Sequence, residues 1–229
     1  MYFDYTYLVL VMPAVLLAMW ASARVNSTFR RYQQQRSRRH ISGADAARAV
    51  LDANGLYNVR IERVSGKLTD HYDPRSNVIR LSDSAYGDTS TAAIGVAAHE
   101  AGHAIQYAVG YGPIRFRAAI IPITNIGSQL AMPLVLLGLL LNFLDLAYLG
   151  IACFGLSTVF QLATLPTEFN ASRRALAAIE SGNLLDQEEI QGARKTLSAA
   201  AMTYVAALAV SLAQLLRLLI IVGGRRRDN

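Results

Sequence analysis

The stretch RAAIIPITNIGSQLAMPLVLLGLLLNFLDLAYLGIACFGLSTVFQLATLPTE, residues 117–168, decides the class of fold. Between Arg117 and Glu168 the only charged side chain is Asp145. Asn142 and Asp145 mark a tight turn between two apolar runs, Ala118–Phe143 and Leu146–Leu165. Each is near the roughly 20 residues that an α-helix needs to cross a bilayer. A third run, Tyr5–Ala23, carries no charge, and a fourth, Ala199–Val222, is interrupted only by Arg217. The expected class is therefore mainly α: a polytopic membrane protein with about four membrane helices.

Composition agrees. Hydrophobic residues make up 53% of the 229 and charged residues 17%, against about 25% charged in an ordinary globular domain. The chain is too apolar for disorder, and a disulfide scaffold is excluded because Cys153 is the only cysteine. A net charge of +6 raises nucleic acid as a partner, but the arginines crowd beside the apolar runs, which points to a lipid bilayer instead. Arg24, Arg30, Arg31, Arg36, Arg38 and Arg39 follow the first run with no acidic residue among them. The positive-inside rule then puts the N-terminus outside and the next segment in the cytoplasm. Arg115, Arg117, Arg173 and Arg174 place both open ends of the helical hairpin on that same side. The fourth run would then cross outward and leave Arg225, Arg226 and Arg227 outside, against the rule.

Between the first two runs lies a small folded segment. Ser42 and Asp45 read as a capping box and Gly55 as the end of the helix they open. Two strand-like runs follow, Tyr57–Val64 and Asn77–Ser82, separated by a loop, Ser65–Ser76, with Gly66 and Asp73-Pro74. They are expected to form a two-stranded hairpin whose second strand is an open edge. Asp88, Thr89 and Ser90 offer N-caps to a helix that runs to about Val109 and stops at Gly110.

That helix contains His99-Glu100-Ala101-Gly102-His103. Histidines at i and i+4 share one helical face and can grip one metal ion, with Zn²⁺ the natural choice for imidazole nitrogen. Glu100 sits one position round, beside the metal and not on it. There it can act as general base towards a zinc-activated water and later return the proton to a leaving amine. The bland alternative is a buried helix with two incidental histidines. The chain has four histidines in all, His40, His71, His99 and His103, so coincidence is rare. No histidine follows His103, so the third ligand must be a carboxylate or an upstream residue. Glu168 is the choice, because two crossings bring it back to the side where the motif helix lies. Asp145, after a single crossing, lies about 30 Å of hydrocarbon away; choosing it would recast the chain as an intramembrane protease. His71, beside Tyr72, could donate to an oxyanion, as could Tyr204 or Arg173. The plain reading of His71 is a turn histidine held by Asp70 or Asp73.

The chain resembles the YugP-type membrane zinc metallopeptidases of bacteria over nearly its whole length. The resemblance rests on Met1-Tyr2-Phe3-Asp4, on residues 41–48 (ISGADAAR), 68–75 (LTDHYDPR) and 93–100 (AIGVAAHE), and on 165–169 (LPTEF) and 199–207 (AAAMTYVAA). More distantly, Glu168 and Ala171 are similar to the E-x-x-A-D signature of HtpX-type gluzincins. That likeness implies a site of His99, His103 and Glu168, with Glu100 catalytic. The aspartate of the signature is Ser172 here, so Asp70 or Asp73 would have to orient a ligand histidine.

The expectation is thus a membrane-anchored zinc metalloendopeptidase with one Zn²⁺ per chain, acting on a peptide or protein substrate at the bacterial cell membrane, with a cytoplasmic active site. Its layout is an anchor at 1–23, a small α+β zincin-like domain at 24–117, a membrane hairpin at 118–165, cytoplasmic helices at 166–198, a fourth membrane helix at 199–222 and a basic tail at 223–229. A transporter should bury ionisable groups mid-membrane, and only Asp145 and Arg217 interrupt the apolar runs. A non-catalytic zinc-stabilised adaptor would have no need of Glu100.

Overall fold

The computed structural model describes residues 5–225. Met1-Tyr2-Phe3-Asp4 and the tail residues Arg226 and Arg227 lie outside them. In chain order the elements are α1 (Met12–Gln33), opened by a π-helical turn Tyr7–Val11, α2 (Gly43–Ala53), β1 (Arg60–Val64), β2 (His71–Asp73), β3 (Val78–Ser82), α3 (Thr91–Ala108), α4 (Gly112–Leu140), α5 (Leu144–Ser181) and α6 (Gln187–Arg225). The fold is mainly helical with one small mixed sheet. Four helices, Tyr7–Gln33, α4, α5 and α6, are long and apolar enough to cross a membrane.

The chain divides into two compact units. The first takes the described residues up to Ser22, Arg115–Pro166 and residues 203–225; the second takes Ala23–Ile114 and Thr167–Met202. In the first unit α4 and α5 form the expected hairpin. Asn142 turns it with φ +51°, a left-handed conformation that asparagine tolerates better than most residues. A Cβ on Gly138 would collide with Ala147, so glycine lets the two helices close near the turn. Val135, Ala147, Ile151, Leu218 and Val222 form the apolar contact of α4, α5 and α6. The Arg225 guanidinium donates to the Leu139 carbonyl (2.6 Å). The C-terminal end of α6 therefore lies at the hairpin-turn end of α4, and there Arg225 supplies a donor to one of the carbonyls that a helix end leaves over.

In the second unit the capping box at Ser42 forms in both directions. The Asp45 amide donates to Ser42 Oγ (3.1 Å) and the Ser42 amide donates to Asp45 Oδ2 (3.0 Å). Ala46, Ala47, Val50 and Leu51 of α2 share a core with Ile94, Ala97, Ala98 and Ala101 of α3, with Ile179 of α5 and with Ala193 and Leu197 of α6. The small residues of α3 serve close approach. A Cβ on Gly102 would sit 2.7 Å from the Ala171 carbonyl oxygen, and one on Gly95 3.2 Å from Ala193 Cβ.

The sheet corrects the expected two-stranded hairpin. Its order is β1-β3-β2, with β1 parallel to β3 and β2 antiparallel to it. The presumed loop 65–76 contains β2, and the tight turn at Asp73-Pro74 joins β2 to β3, with Asn77 at φ +53°. Three residues are too few for apolar alternation to reveal a strand. The expected edge role of Asn77–Ser82 fails as well. β3 is the central strand, with Val78, Ile79, Leu81 and Ser82 buried, and β2 is an edge.

Candidate metal centre

His99 and His103 project from α3, and Glu168 from the second-unit part of α5. One ligand atom from each lies within 4.8 Å of the others. Glu168 Oε2 is 3.2 Å from His99 Nε2 and 3.6 Å from His103 Nε2. Nitrogen and oxygen ligands about 2.1 Å from one tetrahedral ion stand roughly 3.4 Å apart, which is close to the spacing of Glu168 Oε2 from each histidine nitrogen. The contact of Gly102 with the Ala171 backbone is what brings this turn of α5 against the histidines. Glu168 is buried at 3% exposure, which removes the water that would otherwise solvate its charge.

The site's field favours a cation. Burial pulls the His103 pKa down, but its bond to Glu168, the charges of Glu100 and Glu168 and its bond to Gln106 together hold it above the ordinary imidazole value. Two imidazole nitrogens and one carboxylate oxygen, with no thiolate, are a donor set that suits Zn²⁺ and leaves a fourth position for a reacting group.

Glu100 is buried and outside the converging trio. Its Oε2 accepts the Tyr72 amide of β2 (2.9 Å). The Tyr72 ring packs tilted against Tyr107, with centroids 5.8 Å apart, and its hydroxyl donates to Asn77 Oδ1 (2.9 Å). Burial, helped by the nearby Tyr107 and Asp73, raises the Tyr72 hydroxyl pKa.

His71 is exposed on β2, where its Nδ1 donates to the Thr69 carbonyl (2.8 Å). Asp70 accepts from the amide and hydroxyl of Ser82, and Asp73 from the Arg75 amide, Ser76 Oγ and Arg80. Neither orients a ligand histidine, which corrects that expectation. Ser172 Oγ stands 3.1 Å from His99 Nδ1, and Gln106 Oε1 stands 3.0 Å from His103 Nδ1. Gln106 is three residues past His103 on the same helix, a spacing the sequence could have offered. Ser172 occupies the very place where the aspartate was missed. Asp145 and Tyr204 belong to the first unit, and Arg173 is exposed.

A buried His-His-Glu cluster, with a glutamate directly after the first histidine of an i, i+4 pair, defines the class of HExxH zinc metallopeptidases. The model of the family described as "putative neutral zinc metallopeptidase" matches residues 7–223, and the chain belongs to this family. A relative in Bacillus subtilis (strain 168), named "putative membrane protease YugP", is 46% identical over 223 residues, which cover 97% of this chain and 99% of the relative. No solved structure matches significantly. Family, cluster and four apolar helices together make the chain a multi-pass, zinc-dependent membrane metallopeptidase.

Proposed function

We propose that His99, His103 and Glu168 hold one Zn²⁺, and that Glu100 is the general base in the hydrolysis of peptide bonds of a protein substrate at the membrane. The observation that carries this reading is the convergence of three ligand atoms within 4.8 Å, with Glu100 outside the trio and its carboxylate held by the Tyr72 amide. When bound, zinc supplies Lewis acidity, acidifying water and polarising a carbonyl. The rest falls to the chain's own groups. The Tyr72 amide holds Glu100 by Oε2, which orients the carboxylate and leaves Oε1 to take a proton from the attacking water. The resulting hydroxide oxygen bonds to the peptide carbon, the C–N bond breaks, and Glu100 gives the proton to the departing amine.

β2 is the strand that touches the base and lies at a sheet edge, so substrate backbone pairing is assigned to it. The oxyanion role read for His71 requires the doubly protonated ring, because Nδ1 is already engaged with the Thr69 carbonyl. The site is assigned to the cytoplasmic side on the arginines that follow the first span, Arg24 to Arg39, and flank the hairpin. Single cysteines at positions 34 and 84, in a Cys153→Ala background, should react with impermeant thiol reagents only after cell lysis. Labelling of intact cells would reverse the topology.

Zinc analysis with a casein-cleavage assay tests the chemistry. Wild type should carry about one zinc and cleave, while Glu100→Gln should keep its zinc and lose about 10²–10⁴-fold in rate. Zinc without hydrolysis in both proteins would make the chain a zinc-stabilised adaptor.

A further inference from the structure

We propose that Gln106 is a positioning residue that locks His103 in the tautomer whose Nε2 faces the metal, with Asn170 and Arg174 holding Gln106 in turn. The inference rests on the zinc site proposed above.

Gln106 is completely buried. Its Nε2 lies 2.8 Å from the Thr167 carbonyl and 3.0 Å from Asn170 Oδ1. Asn170 Oδ1 lies 2.8 Å from Arg174 Nε. The two ends of this chain each have only one possible role. A carbonyl only accepts, and a guanidinium only donates. The Arg174 end therefore turns the oxygen of Asn170 inward, and the Thr167 end turns the NH₂ of Gln106 towards α5. Oε1 of Gln106 then faces His103 Nδ1, 3.0 Å away. An amide oxygen can only accept, so Nδ1 carries a proton, and the nitrogen left to offer a lone pair to a metal is Nε2. Nε2 faces Glu168 Oε2 at 3.6 Å. A positive charge suits the space between these two atoms, supplied by a proton on Nε2 or by a metal ion that replaces it.

His99 differs. Its Nδ1 meets the Ser172 hydroxyl (3.1 Å), which can donate or accept, so this contact leaves the tautomer open. Gln106 and Ser172 are thus unequal, although each sits behind one histidine.

The test uses the full chain in detergent, stripped of metal with a chelator and titrated with Zn²⁺ alone. Imidazole nitrogen NMR reads the His103 tautomer, and chelator competition reads zinc affinity. Wild type should show His103 protonated at Nδ1. Gln106→Met should mix the tautomers and weaken zinc by about 10–100-fold. Gln106→Glu, isosteric as the neutral acid, should restore both readouts, and Ser172→Ala should change affinity less than Gln106→Met. Arg174→Met, which leaves the buried packing intact, should loosen the tautomer without unfolding. A folded Gln106→Met protein with wild-type tautomer and affinity overturns the proposal. If wild type itself binds no zinc, the site reading fails with it, a result distinguishable because every variant then fails alike.

Discussion

The two units bury different chemistry. In the first, the buried polar side chains among the described residues are hydroxyls: Thr124, Thr158, Thr164 and Ser211. Thr164 is satisfied locally on the Phe160 carbonyl, and Thr158 and Ser211 pair with each other at 2.7 Å. Large apolar side chains such as Leu140, Met19 and Ile126 face outward, as lipid allows. In the second unit outward-facing large apolar groups reduce to Tyr57, Leu68, Val109 and Phe169, and the interior holds three carboxylates, Glu100, Glu168 and Glu189. A buried charge is costly unless hydrogen-bonded or paired. Glu189 meets that demand structurally, accepting the amides of Arg38 (2.7 Å) and Asp186 (3.0 Å). Glu168 is met by two histidines and Glu100 by a single amide. The contrast separates a carboxylate that builds the fold from two to which we assign the chemistry.

The strongest way to break this comparison is to move the metal ligand from one unit to the other. Glu168→Ala should lose stoichiometric zinc and activity, while Asp145→Asn should keep both, as read by metal analysis and casein cleavage. The reverse result would put the site in the membrane unit. Within the second unit, His71→Ala should keep zinc and slow turnover by no more than about a hundredfold; unchanged turnover would remove His71 from the chemistry. Close packing offers a third lever. A Cβ on Gly102 meets the Ala171 carbonyl at 2.7 Å, whereas one on Gly155 in the first unit meets nothing within 4 Å. Gly102→Ala should therefore cost about 1–3 kcal/mol in thermal unfolding and loosen zinc, and Gly155→Ala should leave unfolding temperature unchanged or higher. The smallest effect is expected at the cap: Ser42→Ala should cost about 1 kcal/mol, because one amide loses its acceptor. Equal tolerance at Gly102 and Gly155 would dissolve the packing contrast.

Much of the molecule was legible from local pattern. Apolar run length gave the membrane helices, and Ser42 with Asp45 gave a cap that forms as read. Of the three N-cap candidates Asp88, Thr89 and Ser90, Ser90 is the one that caps α3, where the Ala93 amide donates to its Oγ (3.2 Å). Glu168 followed from counting crossings, and it lies with His99 and His103. The strand order was not legible. β2 has three residues, and pairing it with β3 depends on the turn at Asp73-Pro74 and on Asp70 gripping Ser82, contacts no alternation pattern encodes. Pro166 was read as the start of a separate helical segment, yet α5 runs through it to Ser181. A proline removes one donor and can be carried by a helix whose neighbours hold it.

The sequence by itself determined the types of chemistry: two imidazoles one helical turn apart, an acid beside them, and apolar lengths suited to a bilayer. These are properties of spacing along one element, and local geometry transmits them directly. Only the tertiary structure decided which groups stand behind the two histidines. Gln106 and Ser172, not Asp70 or Asp73, reach the histidines, and the Tyr72 amide, a group every residue but proline carries, holds Glu100. The reason is that hydrogen-bond partners across elements are chosen by helix approach, here by Gly102 against Ala171, and a backbone donor leaves no mark in a sequence.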